Sequence, residues 1–174
     1  DFKEILWQKE GDLNCRETEL LIEQQPRTAY YWRVTVTGEN GESATSGPAY
    51  FETGKRDEPW QASWIAAEPG DVFHPVFRKR FAAGKQIVKA RLYICGLGVS
   101  EAYLNGKQIG DDFLAPFLTD YVENVQVLTY DVTGLLREEN EIEVLLGKGW
   151  YMSKFGLKLK ENNFGDRMMM IAEL

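Results

Sequence analysis

Between Ser100 and Gly110 two short alternating segments flank the dipeptide Asn105-Gly106, and this arrangement constrains the chain more than any other. A two-residue turn of type I′ needs positive φ at both central positions, which Asn and Gly tolerate best. Residues 100–104 and 108–110 are therefore predicted to be antiparallel neighbours. Period-two alternation continues on either side, at residues 76–81, 88–94, 125–130 and 142–146, so the expected fold is all-β. Asp131 or Thr133 is placed to cap a short helical turn whose Leu135 and Leu136 plug the end of the core. Arg137-Glu138-Glu139-Asn140 then reads as a solvated turn into the next strand.

Residues 31–37 also alternate, and Glu39-Asn40-Gly41-Glu42 turns the chain into residues 49–53. These resemble the last two strands of a fibronectin-like sandwich, with Ile5-Leu6-Trp7 and Glu19-Leu20-Leu21-Ile22 as earlier strands. Such a domain takes about seven strands in roughly 100 residues, so the chain is expected to begin partway through one. The expected organisation is a partial fibronectin type III-like domain at 1–54, a charged linker at 55–64 stiffened by Pro59, and a jelly-roll, galactose-binding-like β-sandwich at 65–174, truncated after its last strand. Trp60 and Trp64 are expected to fasten the linker to the second unit.

A chain of 174 residues, 44% apolar and 13% aromatic, can fill such cores. Its formal charge of −7 argues against nucleic acid, whose binding needs a concentrated Lys/Arg footprint. No apolar run is long enough for a membrane-spanning helix, and Asp1-Phe2-Lys3-Glu4 has no signal-peptide pattern. Cys15 and Cys95 are far apart in sequence; two lone thiols fit a reducing compartment better than an oxidising one. Cytoplasmic residence is thus slightly favoured, with secreted or periplasmic residence left open because the true start of the chain can lie upstream. Cys95 reads as a small buried hydrophobe.

Glu101-Ala102-Tyr103-Leu104-Asn105-Gly106-Lys107-Gln108-Ile109-Gly110-Asp111, Leu114-Ala115-Pro116, Thr119-Asp120-Tyr121, Tyr130-Asp131-Val132-Thr133 and Leu145-Leu146-Gly147-Lys148-Gly149-Trp150-Tyr151 occur in that order. Together they resemble the N-terminal region of bacterial α-L-rhamnosidases, and Phe164-Gly165-Asp166 through Leu174 continues the likeness. Tyr30-Tyr31-Trp32-Arg33-Val34 through Trp64-Ile65 resembles the fibronectin-type segment that precedes it in that family. Two departures from the pattern stand out: Lys148 where relatives usually carry Asn, and Phe117-Leu118 where they usually carry Gly-Trp. The resemblance implies a parent glycoside hydrolase acting on L-rhamnose-containing glycosides or polysaccharides. It also implies that the acid and base lie in a helical catalytic domain of the same polypeptide, absent from these 174 residues.

The chemistry-bearing residues agree with a non-catalytic segment. Gly96-Leu97-Gly98-Val99-Ser100-Glu101 has Glu where a dinucleotide fingerprint needs its third Gly, and it lies between strands. His74 is the single histidine and reads as a surface residue, and without a Cys or His cluster it cannot complete a zinc site. Asp57 and Glu58 sit in the charged linker. Asp111 and Asp112 follow the hairpin, where exposed aspartates on a sandwich loop are solvent-facing or hold calcium, the one metal cofactor the sequence suggests. Trp150-Tyr151 is the best candidate for a sugar platform, with Asp112, Asp120 and Asp166 as candidate hydrogen-bonding partners. The competing reading has Trp150 closing the core or packing on the absent catalytic domain, and Asp166 capping a strand or pairing with Arg167. Met168-Met169-Met170 reads as a buried strand. Two functions stay open: a module that supports the catalytic domain and binds rhamnosyl substrate, or an interdomain scaffold with no ligand. An independent enzyme has no coherent acid, base or nucleophile set to work with.

Overall fold

Asn105 and Gly106 adopt φ of +54° and +77°, the pair of left-handed conformations expected of the hairpin turn. A computed structural model describes residues 2, 4–11, 17–68, 73–84, 86–154 and 160–174. The chain divides into two compact units, residues 1–59 and 60–174. Among the described residues no helix is long and apolar enough to cross a membrane.

In unit 1, β1 (Ala29–Trp32) pairs antiparallel with β4 (Ala49–Glu52), and β2 (Thr35–Thr37) with β3 (Ser43–Thr45). The single strand expected at 31–37 is thus two, because the backbone turns away at Arg33-Val34. There Ser46 holds Val34 on both sides, its hydroxyl accepting from the Val34 amide at 3.0 Å and its own amide donating to the Val34 carbonyl at 2.8 Å. The turn at Gly38–Glu42 leads into β3 rather than directly into β4. Ile5-Leu6-Trp7 and Glu19–Ile22 form no strands; the chain before β1 is held instead by side chains, with the Thr53 hydroxyl donating to Gln25 O at 2.5 Å. Tyr30 is buried and stacks on Phe51 at 5.2 Å. Residues 55–58, read from the sequence as the start of a linker, lie on this unit: Lys55 is buried and Arg27 pairs with Glu58 at 2.7 Å.

Unit 2 is an antiparallel sandwich of two four-stranded sheets. One has the order β10-β7-β12-β5, from β10 (Leu128–Asp131), β7 (Arg91–Leu97), β12 (Met169–Glu173) and β5 (Ile65–Ala66). The other has the order β6-β11-β8-β9, from β6 (Val76–Ala82), β11 (Glu139–Gly147), β8 (Val99–Leu104) and β9 (Lys107–Ile109). Strand β9 pairs with β8 as the hairpin requires, Ala102 opposite Ile109 and Leu104 opposite Lys107. Alternate residues meet in the core: Leu92 and Ile94 of β7, Ala102 and Leu104 of β8, Val144 and Leu146 of β11, and Met170 of β12. Burying a side chain of this size contributes about 1.5–3 kcal/mol relative to leaving it in water. The methionine run supplies a buried strand as expected.

Strand β7 differs from its expected form. It begins at Arg91, three residues later than the alternation suggested, and residues 92–97 are all buried. A central strand covered on both faces needs no polar face and reads as a continuous apolar run. Outer-sheet charges sit elsewhere: on β6 and β11, Arg78 pairs with Glu143 and Arg80 with Glu141 across neighbouring strands.

Candidate functional site

The sandwich has two ends, and the candidate residues divide between them. At one end the Asn-Gly hairpin meets a single 3-10 turn at Thr133–Leu135. Its N-cap is Val132, with no side-chain cap bond, so neither Asp131 nor Thr133 caps it as expected; Asp131, one residue earlier, accepts from the Thr133 amide at 3.0 Å, and Leu135 and Leu136 pack against the core as expected. Asn140, expected in a solvated turn, is 4% exposed. Its amide accepts from Arg137 N at 2.8 Å and donates to Arg137 O at 2.7 Å, while Asn105 donates both to it and to Leu135 O at 2.9 Å. Burial is tolerated because its amide oxygen and amide nitrogen both have partners.

At the other end, three glycines let backbones cross. Gly98 has φ of +129°, and a Cβ there would lie 2.1 Å from Gly147 O. Gly149 has φ of +48°, and its Cβ would come within 2.9 Å of Val99 Cγ1. A Cβ on Gly96 would meet Leu146 and Ser100 at 3.1 Å. The glycines that begin like a dinucleotide fingerprint thus serve close packing between β7, β8 and β11. The crossing launches α1 (Gly149–Met152), whose successive residues are turned about 100° apart. That rotation separates the two candidate platform residues. Trp150 is 39% exposed, whereas Tyr151 is buried, edge-on to Tyr121 at 5.2 Å, with its hydroxyl crowding Gly165. Tyr151 therefore offers no open ring face for a sugar. Burial, then the charge of Asp166, pushes its hydroxyl pKa up.

The aspartates have local roles. Asp112 accepts from the Tyr130 hydroxyl at 2.8 Å, and Tyr130 is held well above the usual phenol range, first by burial, then by that bond and the nearby charges of Asp112 and Asp111. Asp111 is exposed beside it. Among the described residues no group of three or more His, Cys, Asp or Glu is arranged to hold a metal ion, so the Asp111-Asp112 pair gains no third side-chain carboxylate for calcium. Asp120 shapes a turn, accepting Val122 N on its side chain at 3.1 Å and Asn124 N on its carbonyl at 2.8 Å. Asp166 is exposed and pairs with Arg167 at 3.4 Å. His74 is exposed, and Cys95 is buried with its thiol pushed up to about 11 by that burial, which leaves it protonated and unreactive. Cys15 lies outside the described residues.

One surface feature was marked from the sequence only by the Phe117-Leu118 departure from the family pattern. Phe113, Leu114, Phe117 and Leu118 are exposed on the segment between β9 and β10, around the buried pair Ala115-Pro116. Ser100 N donates to Ala115 O at 2.8 Å and Phe117 N to the Gln126 side chain at 2.7 Å, so this segment is fixed in place. The signal was available: residues 113–118 are six consecutive apolar residues in a segment that does not alternate and has aspartates on either side. Both departures from the family pattern, Lys148 and Phe117-Leu118, fall at this end. The Lys148 ammonium lies 5.4 Å from the centre of the Phe73 ring.

Fold and site together define a class: an antiparallel β-sandwich module, preceded in sequence by a smaller β unit, with a set of exposed aromatic and apolar side chains on the loops at one end. Residues 85–174 match the α-L-rhamnosidase N-terminal domain, and residues 19–57 match the N-terminal immunoglobulin domain of Rha78A-like proteins. The chain belongs to the α-L-rhamnosidase N-terminal domain family. The matched name for the first unit is immunoglobulin, where a fibronectin-like one was expected. An α-L-rhamnosidase from Alteromonas sp. (strain LOR) is 33% identical over an alignment of 162 residues that covers 85% of this chain and 18% of that protein. The crystal structure of native α-L-rhamnosidase from Aspergillus terreus superimposes with a TM-score of 0.78 at 33% identity, over 85% of this chain and 18% of that one. That of Dictyoglumus thermophilum α-L-rhamnosidase gives 0.74 at 34%, over 86% and 18%. The chain thus spans under a fifth of the length of these relatives.

Proposed function

We propose that this chain is the non-catalytic N-terminal part of an α-L-rhamnosidase-like glycoside hydrolase and supports a catalytic portion encoded elsewhere in the polypeptide. The observation that carries this reading is the ordered match of both units to the N-terminal domains of proteins named α-L-rhamnosidase, of which the chain covers 18% in the Alteromonas example. The whole protein would release L-rhamnose from rhamnosyl glycosides or polysaccharides. Electrostatics sets two carboxylates aside as general acids. Glycoside hydrolysis uses a protonated carboxyl of raised pKa opposite a second carboxylate. Here Glu141 is held below the usual carboxylate range by its bond to Arg80, and Asp131 by its bonds to Thr133. Those shifts oppose what a general acid requires.

The half-exposed indole of Trp150, on a glycine-flanked turn, favours a second reading in which the module also contacts rhamnosyl substrate. Titration calorimetry of the chain with L-rhamnose, with and without calcium, separates the two. Saturable heat that disappears in Trp150→Ala assigns a sugar platform, and dependence on calcium adds the Asp111-Asp112 loop. Silence from both proteins up to millimolar sugar assigns scaffolding. Hydrolysis of an aryl rhamnoside by the chain alone would overturn the non-catalytic reading.

A further inference from the structure

We infer that the glycine-crossed end of the sandwich is the docking face for the remainder of the rhamnosidase polypeptide, an inference that rests on the function proposed above. The face is built from Phe73, Phe113, Leu114, Phe117, Leu118 and Trp150, which are 66%, 86%, 61%, 59%, 44% and 39% exposed. Strand β8 gathers them. Its Ser100 holds Ala115, which carries residues 113–118; its Val99 underlies Gly149, next to Trp150; and Lys148, the residue before Gly149, reaches the Phe73 ring. A soluble monomer exposes single apolar side chains freely, but four exposed aromatic rings on segments tied to one end of a single strand mark an interaction site.

Three observations favour one occupant. The segment bearing Phe117 is anchored by backbone and side-chain hydrogen bonds on both sides of the buried Ala115-Pro116. Its apolar side chains are thus exposed on a hydrogen-bonded backbone, as suits an interface anchor. Lys148 lies over the Phe73 ring and the exposed Asp111, Asp112 and Asp120 flank the apolar run, an apolar centre with a charged rim that suits burial against protein and not a polyanionic ligand. The relatives also supply the partner: over four-fifths of the length of the Alteromonas and Aspergillus terreus proteins lies outside the part this chain matches. The two departures from the family pattern lie on or beside this face, so the partner surface in this polypeptide must accommodate Phe117 and Leu118.

The test compares the 174-residue chain with a fusion in which it replaces the matched N-terminal part of the Dictyoglumus thermophilum α-L-rhamnosidase. Hydroxyl-radical footprinting is expected to label Phe117 and Trp150 about tenfold more slowly in the fusion, as for side chains withdrawn from water at an interface core. Val88, 92% exposed and three residues before β7, at the opposite end of the sandwich, should be labelled equally in both. A fusion that hydrolyses rhamnosides while Phe117 and Trp150 stay fully labelled overturns the docking face and leaves the N-terminal-module reading intact. An inactive fusion with no protection overturns both. Protection that appears in the isolated chain as its concentration rises assigns the face to a second copy and likewise overturns the proposal.

Discussion

The two ends of the sandwich solve the same problem in opposite ways. Where Asn105, Asn140 and the 3-10 turn meet, the core is closed by polar groups bonded to one another and by two leucines packed beneath them. Where β7, β8 and β11 cross, backbones pass at glycines and the surrounding loops turn phenylalanines, leucines and a tryptophan outward. One end is finished within the unit, because its buried polar groups have their partners. The other is finished only in its backbone, and its side chains are left for something else to cover. The lesson is that a module's working surface is distinguished less by charged residues than by which end of its core is left uncapped.

The contrast breaks most severely at Gly98. Gly98→Ala puts a methyl group 2.1 Å from Gly147 O at a φ of +129°, an overlap between backbones that no side-chain rotation relieves. A loss of about 4 kcal/mol or more is expected in urea unfolding, in the range reserved for a few mechanisms such as strain at a special backbone conformation. The closed end is tested by Asn140→Ala, which strands Arg137 N, Arg137 O and one N–H of the Asn105 amide. Leaving such groups unpaired costs about 2–3 kcal/mol, and the urea midpoint should fall accordingly without a change in slope.

The smallest effect concerns the Asp131–Thr133 bond that leads into the 3-10 turn. Asp131 is held below the usual carboxylate range chiefly by Thr133, with Arg91 adding to it. A depressed folded pKa means that its contribution is complete above the unfolded value, about 4, and is lost as pH falls through the lower folded one. Asp131 is largely exposed, its side chain at 60%, so the charge is worth roughly half a kcal/mol or less after solvent screening. Asp131→Asn should therefore lower Tm slightly at pH 7, and the difference from the parent should shrink as pH falls below the unfolded value and disappear once the folded carboxylate is protonated. A difference that persists unchanged in acid would show that the Asp131–Thr133 bond acts through geometry alone.

Residues far apart in the chain account for what escaped the sequence reading. The hairpin was legible because Asn105-Gly106 supplies its own geometry locally. The 3-10 turn and the methionine strand were legible for the same reason, each being written in neighbouring residues. Asn140 was misread because its polar neighbours, Arg137-Glu138-Glu139, suggest solvent, whereas its burial depends on Asn105, thirty-five residues away. Tyr151 was grouped with Trp150 because the two are adjacent, but the short helix turns one outward and the other onto Tyr121 and Phe164. The early strands at Ile5–Trp7 and Glu19–Ile22 were inferred from apolar content, yet a strand also needs a partner edge, and none pairs there among the described residues.

By itself the sequence determined the all-β class, the register of the central hairpin and the family, because alternation, a left-handed dipeptide and an ordered set of short motifs are each carried by residues close together. Only the tertiary structure decided which glycines exist for packing, which polar residue is buried and which end of the sandwich faces outward. Those properties belong to pairs of residues from different strands, and the free energy of burial or of an unsatisfied group is defined only once those strands have met.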